Sequence, residues 1–277
     1  MRTVCLNINA FIEVFSITPS LQYSNTPDRQ APIHLGGTAR NVKDIQAIQR
    51  MGLQFAEIPV DDPATFSKNI HTYEKWRRTS GLYYLCHGPR EGDPNDLNSL
   101  KHEYLPKILA ILPMMKRLRM LLLTVHLWLD ARFVRMEVID FKIDLLREII
   151  THARDAGIII CHENLSERAS DMEKACHRLP LLNITLDLGH AQLLTEVNRS
   201  LDYIDQFPEK IKHIHLHDND GGTSHLDDLH LPPGQGIVDF RAIFKRLKQM
   251  GYHHTITLEL KPHEIKDSLG KVRSLLD

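Results

Sequence analysis

Eight short apolar or β-branched runs alternate with amphipathic segments along this 277-residue chain, and no other feature constrains the fold as much. The runs cover residues 4–15, 55–60, 82–87, 120–126, 158–163, 184–187, 211–217 and 255–260. Helical periodicity covers 38–51, a stretch through Tyr73 and Trp76 to Gly81, and then 99–118, 137–156, 170–179, 201–207, 240–250 and 264–276. In the first of these Val42, Ile45, Ile48 and Met51 share a face and Gly52 ends the pattern, while Pro113 is expected to kink the third. Strand then helix, eight times over, predicts an α/β protein: a single closed (β/α)8 barrel forming one domain over 1–277. The competing open, doubly wound sheet would carry a glycine-rich phosphate turn after its first strand, and none is present. The polar segment 18–37 is long for a βα connection and is expected either to cover the site or to run over the surface.

Composition narrows the function. Lys and Arg number 34 against 35 Asp and Glu, so a net charge of -1 offers no footprint for nucleic acid and argues against such a partner. Cys5, Cys86, Cys161 and Cys176 lack the spacing of a metal knuckle and read as reduced core thiols of a cytoplasmic protein. The first residues do not read as a signal peptide, and no apolar run reaches membrane-spanning length, so no membrane association is expected.

The strands of such a barrel deliver their C-terminal ends to one rim. Here those ends read Cys86-His87-Gly88, Val125-His126, His162-Glu163-Asn164 and Asp187-Leu188-Gly189-His190. The seventh strand ends in His215 and His217, its loop carries Asp228 and His230, and the eighth ends at Glu259. A solvated rim would use Lys and Arg equally well, whereas imidazole beside carboxylate is the donor set of first-row divalent metals. Alternation along each strand sends Glu163 inward with Cys161 and His162 outward, and places Asp187 with Thr185 and Glu259 with Thr257. His213 then lies deeper in the barrel, and spacing alone does not separate His215 from His217. Glu57, ending the second strand, either touches substrate or bonds a neighbouring strand.

These motifs together resemble the xylose isomerase-like TIM barrel superfamily. The resemblance rests on His162-Glu163-Asn164, on Leu186-Asp187-Leu188-Gly189-His190, and on His215-Leu216-His217-Asp218-Asn219. Asp228-Leu229-His230, the Pro-Pro-Gly-Gln-Gly run at 232–236 and Leu258-Glu259-Leu260 complete it; it is strongest over 158–260. Two branches of that superfamily imply different chemistry. The sugar isomerases and epimerases imply one divalent ion, manganese, zinc, magnesium or cobalt, held by Glu163, Asp187, His215 and Glu259. In that branch Glu163 and Glu259 are the catalytic pair, passing a proton through an enediolate of a small sugar or sugar phosphate, and His190 holds a substrate hydroxyl. Epimerases of the branch usually carry an Arg just past the seventh-strand His, where this chain has Asn219-Asp220-Gly221-Gly222. Arg90 or Lys261 is expected to serve instead.

The endonuclease IV class (AP endonuclease family 2) implies three zinc ions: one on His87, His126 and Glu163, a second on Glu163, Asp187, His215 and Glu259, a third on His190, Asp228 and His230. All nine positions hold the required residue types, which makes a phosphoester hydrolase the alternative. The neutral charge and the lack of Arg- and aromatic-rich loops to grip a duplex place the isomerase reading first. A non-catalytic barrel is the weakest reading, because buried carboxylates are unfavourable without a cation. The loops at 18–37 and 221–236 are expected to shape specificity, and assembly into a homo-oligomer is left open.

Overall fold

The structure, a computed structural model, describes residues 32–277. Eight parallel strands close into a barrel in sequence order, with β1 (His34–Thr38) pairing both β2 (Phe55–Pro59) and β8 (Thr255–Leu258). Between them stand β3 (Tyr83–His87), β4 (Leu122–Val125), β5 (Ile159–Glu163), β6 (Asn183–Asp187) and β7 (Ile211–Leu216). The helices are α1 (Val42–Arg50), α2 (Pro63–Lys68), α3 (Ile70–Ser80), α4 (Leu97–Ser99), α5 (Leu105–Leu118), α6 (Met136–Asp155), α7 (Ala169–Arg178), α8 (Ser200–Gln206), α9 (Phe240–Gln249) and α10 (Pro262–Leu276).

Three details differ from the sequence reading. The run 4–15 lies outside the described residues, and the barrel closes through His34–Thr38 instead, so residues 34–37 form strand rather than loop. One helix was expected between β2 and β3, but two form: Asp62 caps α2 through the Ala64 and Thr65 amides with Pro63 at its first turn, and α2 ends at Asn69 where α3 begins. The irregularity assigned to Pro113 falls earlier, in a π-helical turn at Leu100–Tyr104, and α5 runs on through Pro113.

Each strand is buried on both faces, as a parallel barrel requires. The outward face, with Ile58, Tyr84, Leu123, Ile160, Leu186, Ile214 and Ile256, joins the main apolar core under the helices. Inside, the lower barrel is plugged by a small cluster of Phe55, Leu85, Leu122 and Cys161, with Tyr83 packed against it. Phe55 stacks on Tyr83 with ring centroids 5.3 Å apart. Above the plug the interior turns polar: Thr124 and Thr185 share a 2.9 Å hydrogen bond, and His213 Nε2 lies 3.1 Å from the Thr257 hydroxyl. Apolar packing thus seals one end and leaves the other to chemistry.

Gly36 on β1 is set by this plug, because a Cβ there would lie 2.3 Å from the Phe55 ring. Gly36→Ala is therefore expected to cost about 1–3 kcal/mol through overpacking. Urea denaturation checks this, and Phe55→Leu in the same chain should recover part of the loss.

Candidate metal centre

Strand register builds the centre. Asp187 on β6 sits directly beside His215 on β7, and Glu163 ends β5 opposite Thr185. Glu259 follows β8, its amide donating to Leu216 O at 3.2 Å. His215 Nδ1 consequently faces three carboxylates: Glu163 Oε1 at 2.9 Å, Glu259 Oε1 at 3.4 Å and Asp187 Oδ2 at 3.7 Å. One donor atom from each of these four residues lies within 4.8 Å of all the others. Glu163, Asp187 and His215 are fully buried.

The other oxygen of Glu163 meets two imidazoles, His87 Nε2 at 3.2 Å and His126 Nε2, which makes a second donor group with a shared carboxylate. A third group stands beside them. Asp228 Oδ2 lies 3.1 Å from His190 Nε2 and 3.0 Å from His230 Nε2, and His217 completes the set. His217 Nε2 also lies 3.0 Å from Asp187 Oδ1, and its ring stacks on His230 with centroids 3.9 Å apart. Gly189 is glycine for this reason, since a Cβ there would sit 2.1 Å from the His217 ring. All nine residues named for the three-ion pattern converge on one rim, and His217 joins them.

Electrostatics follow from the burial. Burial disfavours the charged form of Glu163, but His126 and His215 outweigh it and hold the carboxyl well below the usual range. Burial opposes the charge on His215 too, and Glu259, Glu57 and Glu163 overcome it and raise its pKa well above normal. Asp187 is lowered against its own desolvation by His190 and His217. The cluster therefore demands positive charge, which protons on imidazole supply in the chain alone and a divalent cation would supply better. Three carboxylate oxygens and one imidazole nitrogen suit manganese, magnesium, cobalt or zinc.

A cavity of about 1070 Å³ opens above these groups, with Arg40, Arg90, Trp128, Phe133, Thr223 and Ser224 among its lining residues. Trp128 and Phe133 stack at 4.7 Å into an aromatic wall. The wall is held by two buried charges, as Lys142 Nζ lies 2.7 Å from Glu91 Oε2 and donates to Trp128 O at 2.9 Å. The loop bearing Asp228 and His230 is organised by buried Asp218, whose carboxylate accepts the amides of Asn219, Gly234 and Val238. That tie holds His230 at a positive φ of 47°, a strained backbone region for a residue with a side chain.

One residue falls differently from the sequence reading. Lys261 is not among the cavity residues; it starts α10 with its ammonium 3.7 Å from Glu264, because the chain has already turned outward past Glu259. Arg90 does line the cavity. His162 points away from the axis and its Nε2 bonds Leu127 O at 2.7 Å. Of the loop 18–37, residues up to 31 lie outside the described residues, whereas Thr223, Ser224, Asp228 and His230 bring the loop 221–236 onto the cavity. Spacing named two participants without assigning them a place. His217 carried a signal, the same alternation as His215, and Glu57 carried one in sharing its strand face with Phe55.

Fold and donor set define a (β/α)8 barrel with a carboxylate–imidazole centre at the C-terminal rim. The model of the family described as xylose isomerase-like TIM barrel matches residues 45–275, and the chain belongs to that family. It is 32% identical over 122 residues to fructoselysine 3-epimerase of Escherichia coli O157:H7, covering 42% of this chain and 43% of that protein. The chain spans under half the length of the curated relatives it matches. Among solved structures it resembles a D-tagatose 3-epimerase-like protein (TM-score 0.76, 22% identity, 88% of this chain and 97% of that one). It also resembles IOLI protein with a binding zinc atom (TM-score 0.73, 16% identity, 88% and 98%). Among the described residues no helix is long and apolar enough to cross a membrane.

The Asp228–His230 pair gives a pH signature for chelator-treated protein. Burial disfavours both charges, yet His190 and His230 hold Asp228 below its usual range, while Asp228 and Glu259 lift His230 to about 9. Between about 6.5 and 9 folded His230 keeps a proton that the unfolded chain has lost. Its contribution is thus complete below about 6.5 and disappears as pH rises through about 9. Melting temperature is expected to fall across that interval, and less steeply in His230→Gln.

Proposed function

We propose that this protein is a divalent-metal-dependent isomerase or epimerase of a small sugar or sugar-like polyol. The observation that carries the reading is the convergence of Glu163, Asp187 and Glu259 on His215 Nδ1 beneath a cavity. The likeness to fructoselysine 3-epimerase and to a D-tagatose 3-epimerase-like protein supports it.

Glu163, Asp187, His215 and Glu259 would hold the ion. When bound, it supplies Lewis acidity toward two adjacent substrate oxygens. The protein's own groups carry the proton. Glu163, kept ionised by His126 and His215, takes it from the hydroxyl-bearing carbon beside the substrate carbonyl, and the C–H electron pair becomes the C=C bond of an enediolate. Glu259, across His215 Nδ1 from Glu163, returns a proton to the opposite face and the carbonyl re-forms. The two carboxyl groups finish with exchanged protonation states and re-equilibrate with solvent. His190 and Arg90, both on the cavity, hold substrate hydroxyls, and the Trp128–Phe133 wall suits the C–H face of a sugar.

In deuterated water, turnover of fructoselysine or D-tagatose should place deuterium at the inverted carbon. Glu163→Gln and Glu259→Gln should each lower kcat by about 10²–10⁴-fold with the fold intact by circular dichroism. Wild-type-like turnover in either variant overturns the pair.

The complete nine-residue set, with His217 beside it, favours a second reading, a phosphoester hydrolase using two or three ions. Elemental analysis separates the two. One tightly bound ion per chain, weakened by Asp187→Asn and little changed by His87→Ala, fits the isomerase. Two or three ions, one of them lost in His87→Ala, together with cleavage of bis-p-nitrophenyl phosphate, fits the hydrolase.

A further inference from the structure

Below the metal centre lies a buried group that the proton transfer does not use. Glu57 ends β2 on the inner face, and its side chain is 1% exposed. Both its oxygens approach His215 Nε2, at 3.1 and 3.2 Å, so the two nitrogens of that ring face opposite ways: Nε2 down to Glu57, Nδ1 up to the three carboxylates. An imidazole ring bridging in this way has one consistent neutral form. Nε2 carries the hydrogen and donates to Glu57, and Nδ1 presents its lone pair to the rim.

Glu57 is itself fixed. His213 Nε2 donates to Glu57 Oε2 at 3.2 Å, and His213 Nδ1 lies 2.6 Å from the Thr255 hydroxyl, which donates to it in that tautomer. Thr255 and His213 are register partners on β8 and β7, so the chain of bonds is anchored in the sheet. Below it Phe55 packs its ring edge-on against His213 with centroids 6.1 Å apart, so the apolar plug meets the column directly. Glu57, His213 and His215 form one column up the barrel axis.

We propose that Glu57 is a positioning residue, fixing His215 as its Nε2–H tautomer and aiming Nδ1 at the cation held by Glu163, Asp187 and Glu259. The inference rests on the metal-dependent reading above. It differs from that reading in assigning cation affinity partly to a carboxylate that bonds His215 and is not one of the four residues that would hold the ion. Carboxylates that orient ligating histidines elsewhere contribute about 10–100-fold in affinity.

The test measures binding of Mn2+ and of Zn2+ to purified full-length protein by competition with a chromophoric chelator, with no activity assay involved. Glu57→Gln keeps the shape, removes the charge and is expected to weaken binding about 10–100-fold. Glu57→Asp keeps the charge with a shorter reach and is expected to recover part of that loss, and it carries the test alone if the Gln variant does not fold. Wild-type affinity in a folded Glu57→Gln protein, or no recovery in Glu57→Asp of a loss seen in Glu57→Gln, overturns the positioning role while leaving the metal reading intact. Failure of wild type to bind either ion overturns both.

Discussion

Three carboxylates aimed at one imidazole nitrogen inside a closed barrel set the terms for the rest of this structure. Glu163, Asp187 and Glu259 could not share so small a volume without positive charge among them. Every neighbouring feature answers that demand: His126 and His87 on the far oxygen of Glu163, His217 and His190 on Asp187, and His215 at the point of convergence. An ion-binding rim and a histidine-rich barrel interior are two consequences of one electrostatic requirement.

Rigidity comes from buried groups beneath and around the cavity. The apolar plug around Phe55 gives the polar column a floor, and Glu57 transmits that floor to His215 through hydrogen bonds rather than packing. Above, Asp218 gathers three amides of the loop that bears Asp228 and His230, and the Lys142–Glu91 pair locks the backbone of Trp128. Glu167 adds a further tie: burial pushes its pKa to about 7 while it accepts the amides of Leu129 and Leu165, joining the loops after β4 and β5. Loops over a parallel barrel bury backbone amides that no strand satisfies, and buried carboxylates are this chain's answer.

Seven of the eight barrel strands were readable in the sequence because β-branched and apolar runs bounded by turn residues are a local signal. The first strand was not. His34-Leu35-Gly36-Gly37-Thr38 has two adjacent glycines and no apolar alternation, and it is a strand because Phe55 and Ile265 fill the space that side chains at Gly36 and Gly37 would occupy. That is a tertiary reason, invisible in the segment. The split of the connection after β2 into α2 and α3 was likewise hidden, since the apolar spacing through Tyr73 and Trp76 is continuous enough to suggest one helix.

The sequence by itself determined which way each functional side chain faces, because a strand's period of two is a property of the local backbone; Glu163 goes inward and His162 outward whatever surrounds them. Tertiary structure decided who meets whom. His217 joins Asp187 and His230, Glu57 reaches His215 across 158 residues of chain, and Lys261 turns toward Glu264 at the start of α10. Such meetings depend on barrel closure and on the stagger between strands, which bring together groups that carry no information about one another along the chain.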